Sequence, residues 1–489
     1  MNKYEPVIGM EIHAEMATLS KMFCGCRVVD TTTAEPNTTI CPVCTGLPGA
    51  MPVLNRRAVE MAMLVGLALH CQINEYSNFA RKNYFYPDLP KGYQISQYDY
   101  PVATRGWLDI DTESEGPVRI GVTRAHMEED TAKLFHFKGD FLDPEDYTLI
   151  DFNRSGIPLL EIVSEPDMRS VEQALAYATK IREILRYLGV NAGDMEKGIL
   201  RFEANVSVRL RGSRVLGTRT EIKNLNSFRA LTGASAYEIQ RQIQVLEAGG
   251  TVVQETLGWD DARGVTFSQR SKEEAHDYRY FPEPDLPPLS IDRAWVDELI
   301  QTLPELPDAK YQRFVTELQV PEGDARILVA ERALAEYFEA AVTAYGGPAV
   351  NVSKWMVGEL AYLMNRENTG INQVQVKPEN LVQLLKLLDD KTLNQNSAKE
   401  VLGEMFETGK TAGAVVQEKG LVQISDADAL AQIVAQVISE NPQQVQTYLD
   451  GKEGILGWLM GQVMRLTRGR AAPQTVRSLL IKALDRSRQ

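Results

Sequence analysis

Polar and apolar residues alternate without interruption along one stretch, Leu200-Arg201-Phe202-Glu203-Ala204-Asn205-Val206-Ser207-Val208-Arg209-Leu210. Side chains of a β-strand point to opposite faces with a period of two, so this stretch predicts a strand with one polar and one apolar face. A strand buried on both faces of a parallel sheet would instead be apolar throughout. We therefore expect an antiparallel sheet that is packed on one side and open on the other.

Two further segments alternate in the same way and are the expected partners of this strand. In residues 7–15 the last three odd positions are Glu11, His13 and Glu15. In residues 218–227 one face carries Arg219, Glu221 and Lys223. The open side of the sheet is therefore expected to be strongly charged.

A fourth segment, residues 118–123, alternates like a strand and leads into Arg124-Ala125-His126-Met127-Glu128-Glu129-Asp130, which holds an imidazole and three carboxylates within five residues. Mg²⁺ takes oxygen ligands, usually one or two carboxylates together with substrate phosphates. Residues 197–229 add eight basic residues against two acidic ones. Carboxylates for a metal beside cations for phosphates suit phosphoryl transfer, which depends on positioning and charge neutralisation. A solvated sheet face with salt bridges is the alternative interpretation.

The phosphate-binding candidates come from the polar faces of residues 201–209 and 219–223. They are Arg201, Glu203, Asn205, Ser207, Arg209, Arg219, Glu221 and Lys223. The sequence does not rank the basic residues among them.

Four cysteines lie close together early in the chain, at Cys24, Cys26, Cys41 and Cys44. Two close cysteine pairs separated by fourteen residues predict a four-thiolate structural zinc site. A pair of disulfides is the alternative, and a reducing cytosol disfavours it. His13-Ala14-Glu15 followed by Cys41-x-x-Cys44 also resembles a zinc deaminase signature, but the proline follows Cys41, and Cys24 and Cys26 would close the site.

Composition is that of a soluble globular protein, with 44% hydrophobic and 24% charged residues in a chain of 489. The net charge of −14 argues against non-specific nucleic-acid or membrane binding over the whole surface, although it leaves room for local basic patches. No signal peptide precedes the first predicted strand, and the apolar stretch 61–71 is too short to span a bilayer. A cytoplasmic protein is expected.

The pattern changes after a proline-rich segment at residues 282–288. Beyond it, helices are predicted at 294–303, 308–318, 324–345, 351–366, 378–388 and 397–408. Residues 451–489 then carry eight basic residues against two acidic ones. On an acidic protein such a terminal segment is a candidate RNA-backbone contact, and a solvated helical face is the alternative. The predicted arginine contacts are Arg465, Arg468, Arg470 and Arg477.

A series of longer motifs extends along the chain: Gly9 to His13, Arg81 to Asp88, His126 to Asp130, Ala204 to Arg209, Glu221 to Ser227, Arg270 to Pro282, Gly461 to Met464 and Gly469 to Gln474. They resemble the B subunits of the aspartyl/glutamyl-tRNA amidotransferases, the GatB/GatE family. The resemblance runs nearly end to end. It implies an α+β protein with a glutamine-synthetase-like antiparallel cradle domain at 1–290. An all-α helical domain at 291–405 and a small α-helical, YqeY-like, tRNA-binding tail at 406–489 follow.

The same resemblance implies a heterotrimer with an amidase A subunit and a small C subunit. The implied reaction is ATP-dependent phosphorylation of Glu or Asp on mischarged Glu-tRNA(Gln) or Asp-tRNA(Asn), followed by amidation with ammonia. It assigns the magnesium ligands to Glu11, His13, Glu128 and Glu129. Strand parity puts Glu128 and Glu129 on opposite faces, so both can bind one ion only if the strand ends or bulges there. Family members also imply that Lys82, Tyr84, Asp88 and Lys91 line the point where an ammonia channel meets the site.

The sequence also indicates where the ammonia comes from. An N-terminal-nucleophile glutaminase needs a cysteine at the start, where Asn2 stands, and no Gly/Ser-rich nucleophile loop of an amidase is present. We therefore expect a partner to supply ammonia along an enclosed path, because ammonia in neutral water is mostly protonated. A non-catalytic tRNA-binding scaffold whose sheet site has lapsed is the competing hypothesis.

Overall fold

The computed structural model describes residues 3–137, 146–271, 278–421, 427–467 and 471–486. The chain divides into two compact units, Met1–Leu306 and Pro307–Gln489. The described strands lie in the first unit and are β1 (Tyr4–Glu15), β2 (Gln72–Ile73), β3 (Tyr76–Ser77), β4 (Ala80–Asn83), β5 (Tyr93–Ser96), β6 (Ala103–Thr112), β7 (Gly116–Glu129), β8 (Lys133–Phe137), β9 (Tyr147–Asp151), β10 (Pro158–Ser164), β11 (Leu200–Leu210), β12 (Thr220–Leu225), β13 (Glu255–Asp260), β14 (Val265–Ser271), β15 (Phe281–Pro282) and β16 (Leu289–Ser290).

Helices occur in both units. The first unit contains α1 (Arg56–Ala68), α2 (Val171–Tyr187), α3 (Phe228–Glu247) and α4 (Arg293–Thr302). The second contains α5 (Pro307–Thr316), α6 (Glu322–Val329), α7 (Arg332–Tyr345), α8 (Ala349–Lys354), α9 (Ala361–Arg366), α10 (Pro378–Asp389), α11 (Gln395–Thr408), α12 (Ala412–Lys419), α13 (Ala427–Glu440), α14 (Pro442–Leu449), α15 (Ile455–Leu466) and α16 (Pro473–Arg486).

One twelve-stranded sheet organises the first unit. Ten strands follow the order β14-β13-β12-β11-β1-β10-β7-β5-β4-β15, while β6 pairs with β7 and β2 pairs with β6. The prediction of a purely antiparallel sheet is wrong at one place, because β12 and β13 run parallel. A parallel pair needs a long crossover connection, and α3 supplies it. The sheet is therefore mixed, with its centre antiparallel.

The apolar side of the central strands is packed as predicted. Ile12 of β1, Ile162 of β10 and Phe202 of β11 are fully buried, and α1, α2 and α3 pack against the sheet strands. The Phe202 ring lies 5.8 Å from that of Phe228 in α3. Each such buried side chain contributes about 1.5–3 kcal/mol relative to exposure. This packing fixes which face of β1, β10 and β11 is left for polar residues.

Polar caps set where the three packing helices begin. Asn55, Ser170 and Ser227 have extended backbones, and their side chains accept hydrogen bonds from the first-turn backbone N–H groups of α1, α2 and α3. Such a cap contributes about 1 kcal/mol over alanine.

The second unit is helical throughout its described residues. Its apolar residues form two clusters, one within 314–421 and one within 430–484. The helix predicted at 324–345 is interrupted, because Glu331 has an extended backbone between α6 and α7. A π-helical turn, Trp355–Leu360, lies between α8 and α9. The predicted domain boundaries at 290 and 405 stay predictions.

None of the described helices combines the length and the apolarity needed to cross a membrane.

Candidate active site: two acidic groups on one sheet face

The polar face of the sheet gathers side chains from four strands that are distant in sequence. The antiparallel register places Glu11 opposite Glu203 and His13 opposite Glu161. It also places Glu161 opposite His126 on β7. Because residues that face each other across paired strands lie on one side of the sheet, these groups share a surface.

His13, Glu128 and Glu161 form the first cluster, here called the histidine–carboxylate group. One potential ligand atom from each lies within 4.8 Å of the others. The Nε2 atom of His13 is 3.2 Å from a carboxylate oxygen of Glu161. The Oε2 atom of Glu128 is buried and has no hydrogen-bond partner among the described residues. An oxygen in that state is available to a cation, so the donor set fits a divalent ion.

Burial and neighbouring negative charge shift the pKa of His13 in opposite directions. Burial opposes a charged imidazole, yet the negative charges of Glu161, Glu203 and Glu128 raise the pKa of His13 to about 9. Burial also raises the pKa of Glu128 above its ordinary value. Positive charge is therefore favoured among these residues, whether it comes from a proton or from a metal.

A second imidazole, that of His126, lies next to the histidine–carboxylate group. Burial lowers the pKa of His126 to about 4, so this ring is neutral. Its Nε2 atom lies 3.5 Å from Glu161, and Nε of Arg124 donates to its Nδ1 atom at 3.3 Å. With Nδ1 accepting from Arg124, the proton of a neutral ring resides on Nε2 and points toward Glu161. His126 therefore lies beside Glu161, which His13 contacts more closely.

Glu11, Glu203 and Glu221 form the second cluster, here called the tricarboxylate group. One oxygen from each lies within 4.8 Å of the others. Lys223 lies 2.9 Å from Glu203 and 3.2 Å from Glu221, and Asn205 donates to Glu11 at 3.0 Å. Burial, followed by the charges of Glu161, Glu203 and Glu221, raises the pKa of Glu11.

The tricarboxylate group also fits a divalent cation. Three carboxylates converge there, and Lys223 pairs with two of them, Glu203 and Glu221. The amide oxygen of Asn205 is buried and makes no hydrogen bond within the described part of the chain, which leaves a further oxygen donor beside the carboxylates.

The four predicted magnesium ligands do not come together in one cluster. Glu11 and His13 are two residues apart on β1, which is about 6.7 Å along a strand, and each belongs to a different group. Glu129 lies in neither group, because β7 continues in unbroken register through Glu128 and Glu129 and so sends them to opposite faces. The Glu129 carboxylate instead binds Lys91 and accepts from the backbone N–H of Ile95 at 2.9 Å.

Besides Lys223, two arginines among the predicted phosphate ligands are already paired with carboxylates. Arg201 lies 3.2 Å from Asp130, which Arg154 also contacts at 3.1 Å. Arg209 lies 2.7 Å from Glu5.

Two other phosphate candidates lie in contrasting surroundings. Ser207 is buried, and Arg219 is exposed just before the start of β12.

The residues expected to line an ammonia path divide between two sides of the sheet. Lys82 lies on the side of the histidine–carboxylate group. Burial opposes its charge, but Glu128, Tyr280 and Glu161 raise its pKa. Its Nζ atom is 5.9 Å from the centre of the Tyr84 ring. Lys91 lies on the other side, bound to Glu129.

The four predicted zinc ligands are brought together. The Sγ atoms of Cys24, Cys26, Cys41 and Cys44 all lie within 4.8 Å of one another. The Cys41 and Cys44 sulfurs are 3.9 Å apart, close to the roughly 3.8 Å expected across a tetrahedral zinc–thiolate site. All four thiols are free, so the disulfide alternative is wrong. His13 groups with carboxylates and not with these cysteines, so the deaminase arrangement is not formed.

Sequence reasoning missed Glu161 and assigned no role to His126. A signal for Glu161 was present, since it is the one charged residue in Pro158–Ser164, where every other residue except Ser164 is apolar. A carboxylate in such a strand is buried and needs a positive partner. The tail arginines Arg465 and Arg477 are exposed on α15 and α16, whereas Arg468 and Arg470 lie outside the described residues.

Two sequence models of protein families match this chain. The sequence model described as the GatB/GatE catalytic domain matches residues 6–297, and that described as the GatB domain matches residues 336–484.

Three relatives are each named as the B subunit of an aspartyl/glutamyl-tRNA(Asn/Gln) amidotransferase. The protein of Moorella thermoacetica is 52% identical over 482 residues, which is 99% of this chain and 100% of the relative. That of Carboxydothermus hydrogenoformans is 51% identical over 98% of both chains, and that of Thermodesulfovibrio yellowstonii is 50% identical over 99% of both. With identities this high over full length, the chain belongs to the GatB/GatE family of tRNA amidotransferase B subunits.

Proposed function

We propose that this chain carries the kinase and transamidase site of a glutamine-dependent tRNA amidotransferase, a carbon–nitrogen ligase. It phosphorylates the side-chain carboxylate of Glu on Glu-tRNA(Gln) or Asp on Asp-tRNA(Asn) with ATP. Ammonia then displaces the phosphate and gives Gln-tRNA(Gln) or Asn-tRNA(Asn). The observation that carries this proposal is the presence of two acidic groups side by side on one polar sheet face.

The ligand assignment differs from the one made on the family resemblance alone. We assign one Mg²⁺ site to His13, Glu128 and Glu161 and a second to Glu11, Glu203 and Glu221. Mg²⁺ bound there would neutralise the phosphate oxygens of ATP, as in other phosphoryl-transfer sites with two metals.

The proposed reaction has two steps. A carboxylate oxygen of the amino acid attacks the γ-phosphorus, the bond to the β-phosphate oxygen breaks, and ADP leaves. The nitrogen of ammonia then attacks the acyl carbon, the bond to the phosphate oxygen breaks, and phosphate leaves as the nitrogen loses a proton. Negative charge develops on oxygen in both steps, so fixed positive groups beside the two acidic groups stabilise both transition states. Lys82 and Lys223 supply such charge.

The second step needs ammonia in its unprotonated form. We propose that it comes from an amidase A subunit, which assembles with this chain and a small C subunit, and reaches the site past Lys82, Tyr84 and Lys91. Lys91 and Glu129 lie on the other side of the sheet from the two acidic groups, so an enclosed route would have to pass the sheet edge, which β15 forms beyond β5 and β4.

We further propose a structural Zn²⁺ at the four cysteines and a glutamine-synthetase-like cradle for the first unit. The tail that contains α13 to α16 is the proposed tRNA-binding module. Its exposed Arg465 and Arg477 are the contacts that can be argued from the described residues.

Glu128→Gln tests the proposal in the reconstituted three-subunit complex. The amide keeps the shape but removes a buried negative charge from the histidine–carboxylate group, so amidation should fall by about 10²–10³-fold. Glutamine hydrolysis by the partner provides the control, because it should persist. If amide formation continues at the wild-type rate, the metal role is wrong and the scaffold hypothesis gains.

A further inference from the structure

Four tyrosines form a continuous row beside the histidine–carboxylate group. The ring centres of Tyr84 and Tyr278 are 6.0 Å apart in an edge-to-face arrangement. Tyr278 meets Tyr280 in the same way at 6.0 Å, and Tyr280 stacks on Tyr98 at 4.0 Å with the two planes only 5° apart. We call this set the tyrosine row. The chemistry assigned above uses Tyr84 alone, and only as a lining residue.

The inner end of the row lies next to the carboxylates. Lys82 is 5.2 Å from the centre of the Tyr278 ring and is itself held by the charges of Glu128 and Glu161. Burial raises the pKa of Tyr280 to about 12, against the effect of Lys82, and the charges of Glu128 and Glu161 add to the rise. The row therefore begins within electrostatic reach of the proposed metal ligands.

The outer end of the row reaches solvent. Tyr98 is 50% exposed although one of its faces is covered by Tyr280. An exposed aromatic ring held parallel to a second ring presents a flat surface of fixed orientation. The arrangement therefore connects a solvent-facing stacking surface with a buried acidic site through rings in contact.

The backbone under the row is fixed by hydrogen bonds. The backbone N–H of Asn83 donates to the Tyr278 carbonyl at 2.9 Å, and its side-chain amide donates to the Arg279 carbonyl at 2.8 Å. Arg279 has a positive φ of 45°, an uncommon conformation for a residue other than glycine. Arg279 is also exposed, so a positive residue separates the two tyrosines along the chain.

The geometry points to the tyrosine row as the stacking surface for the unpaired 3′-terminal bases of the aminoacyl-tRNA. This inference rests on the proposed function and adds a position for the RNA end. The reacting side-chain carboxylate belongs to an amino acid whose α-carboxyl group is esterified to the last ribose of a single strand, so the terminal bases must pass close to the acidic groups. Single-stranded RNA is held by stacking on aromatic side chains beside positive charge, which is what Tyr98, Tyr280 and Arg279 provide.

The test separates contact with the RNA end from contact with the rest of the tRNA. Affinity of the reconstituted complex is measured for a tRNA with its intact 3′ end and for the same tRNA lacking its three terminal nucleotides. Tyr98→Leu should weaken binding of the intact tRNA by between about fivefold and 150-fold, the range for one stacked base. It should leave affinity for the shortened tRNA unchanged. Tyr98→Trp keeps an aromatic face and should retain the wild-type difference.

Matched controls make the outcomes decisive. Tyr362 on α9 is 62% exposed and belongs neither to the tyrosine row nor to the tail helices α13 to α16, so Tyr362→Leu should change neither affinity. Equal weakening for intact and shortened tRNA by Tyr98→Leu, or no weakening at all, would overturn the inference. A wild-type complex that forms no amide at all would instead refute the proposed function, so the two failures are distinguishable.

Discussion

Replacing Arg201 by methionine asks whether this arginine stabilises the sheet or binds a phosphate. The guanidinium lies 3.2 and 3.3 Å from the two carboxylate oxygens of Asp130, which is buried. Removing one partner of a buried ion pair costs about 3–5 kcal/mol. Since Arg154 remains 3.1 Å from Asp130, we expect the lower end, about 3 kcal/mol.

Calorimetry of the purified chain measures this loss as a lower melting temperature of the first unit. An unfolding entropy of about 2.1 cal/mol/K per residue converts 3 kcal/mol into a shift of about 5 °C for a unit of this size. The KM for ATP in the reconstituted complex should stay at its wild-type value, because the guanidinium is already occupied by Asp130. Arg219→Met is the matched control, and since Arg219 is exposed its stability should change by less than about 0.5 kcal/mol.

The opposite pattern would refute this reasoning. If Arg201→Met leaves the melting temperature unchanged and raises the KM for ATP by about tenfold, equal to 1.4 kcal/mol, then Arg201 binds phosphate.

Two other predictions concern the zinc site and the tail. Wild-type chain should hold one zinc by elemental analysis, Cys24→Ser should lose it and unfold at a lower temperature, and Cys71→Ser should retain it because Cys71 lies outside the cluster. Zinc retained by Cys24→Ser would contradict the four-thiolate assignment. Replacing Arg465 and Arg477 by Gln should weaken tRNA binding and lower the slope of log affinity against log salt by about one for each phosphate that is no longer neutralised. An unchanged slope would exclude both arginines as phosphate ligands.

Strand alternation predicts faces well because it depends on local geometry alone. It correctly assigned Glu11, His13 and Glu203 to one polar surface, and it indicated that Glu128 and Glu129 diverge. The family resemblance placed Glu129 among the magnesium ligands, although alternation puts it on the face opposite Glu128. The register of β7 with β10 is uninterrupted there, so the two side chains do lie on opposite faces.

Register is what the sequence could not supply. The pairing of β1 with β10 joins segments about 150 residues apart, and no local pattern specifies which residue of one faces which residue of the other. Glu161 reaches His13 and His126 only through that register. The division of the predicted ligands into two groups has the same origin.

The sequence also did not predict which carboxylates pair with the basic residues of 197–229. Four basic residues of this segment were phosphate-binding candidates, namely Arg201, Arg209, Arg219 and Lys223. In the folded chain Arg201 pairs with Asp130, and Arg209 pairs with Glu5. Glu5 lies on β1 and Asp130 directly follows β7, so both partners are distant in sequence and composition alone could not identify them.

One strand, β1, supplies Glu11 to one acidic group and His13 to the other. The site therefore depends on the number of residues between these two side chains. Deleting or inserting one residue between them would turn one of the two toward the packed helices, because successive side chains alternate sides. Replacement of Ile12 by another apolar residue preserves that order. Homologous chains should accordingly vary in which apolar residue stands between the two ligands, while gaps in this segment should be eliminated by selection.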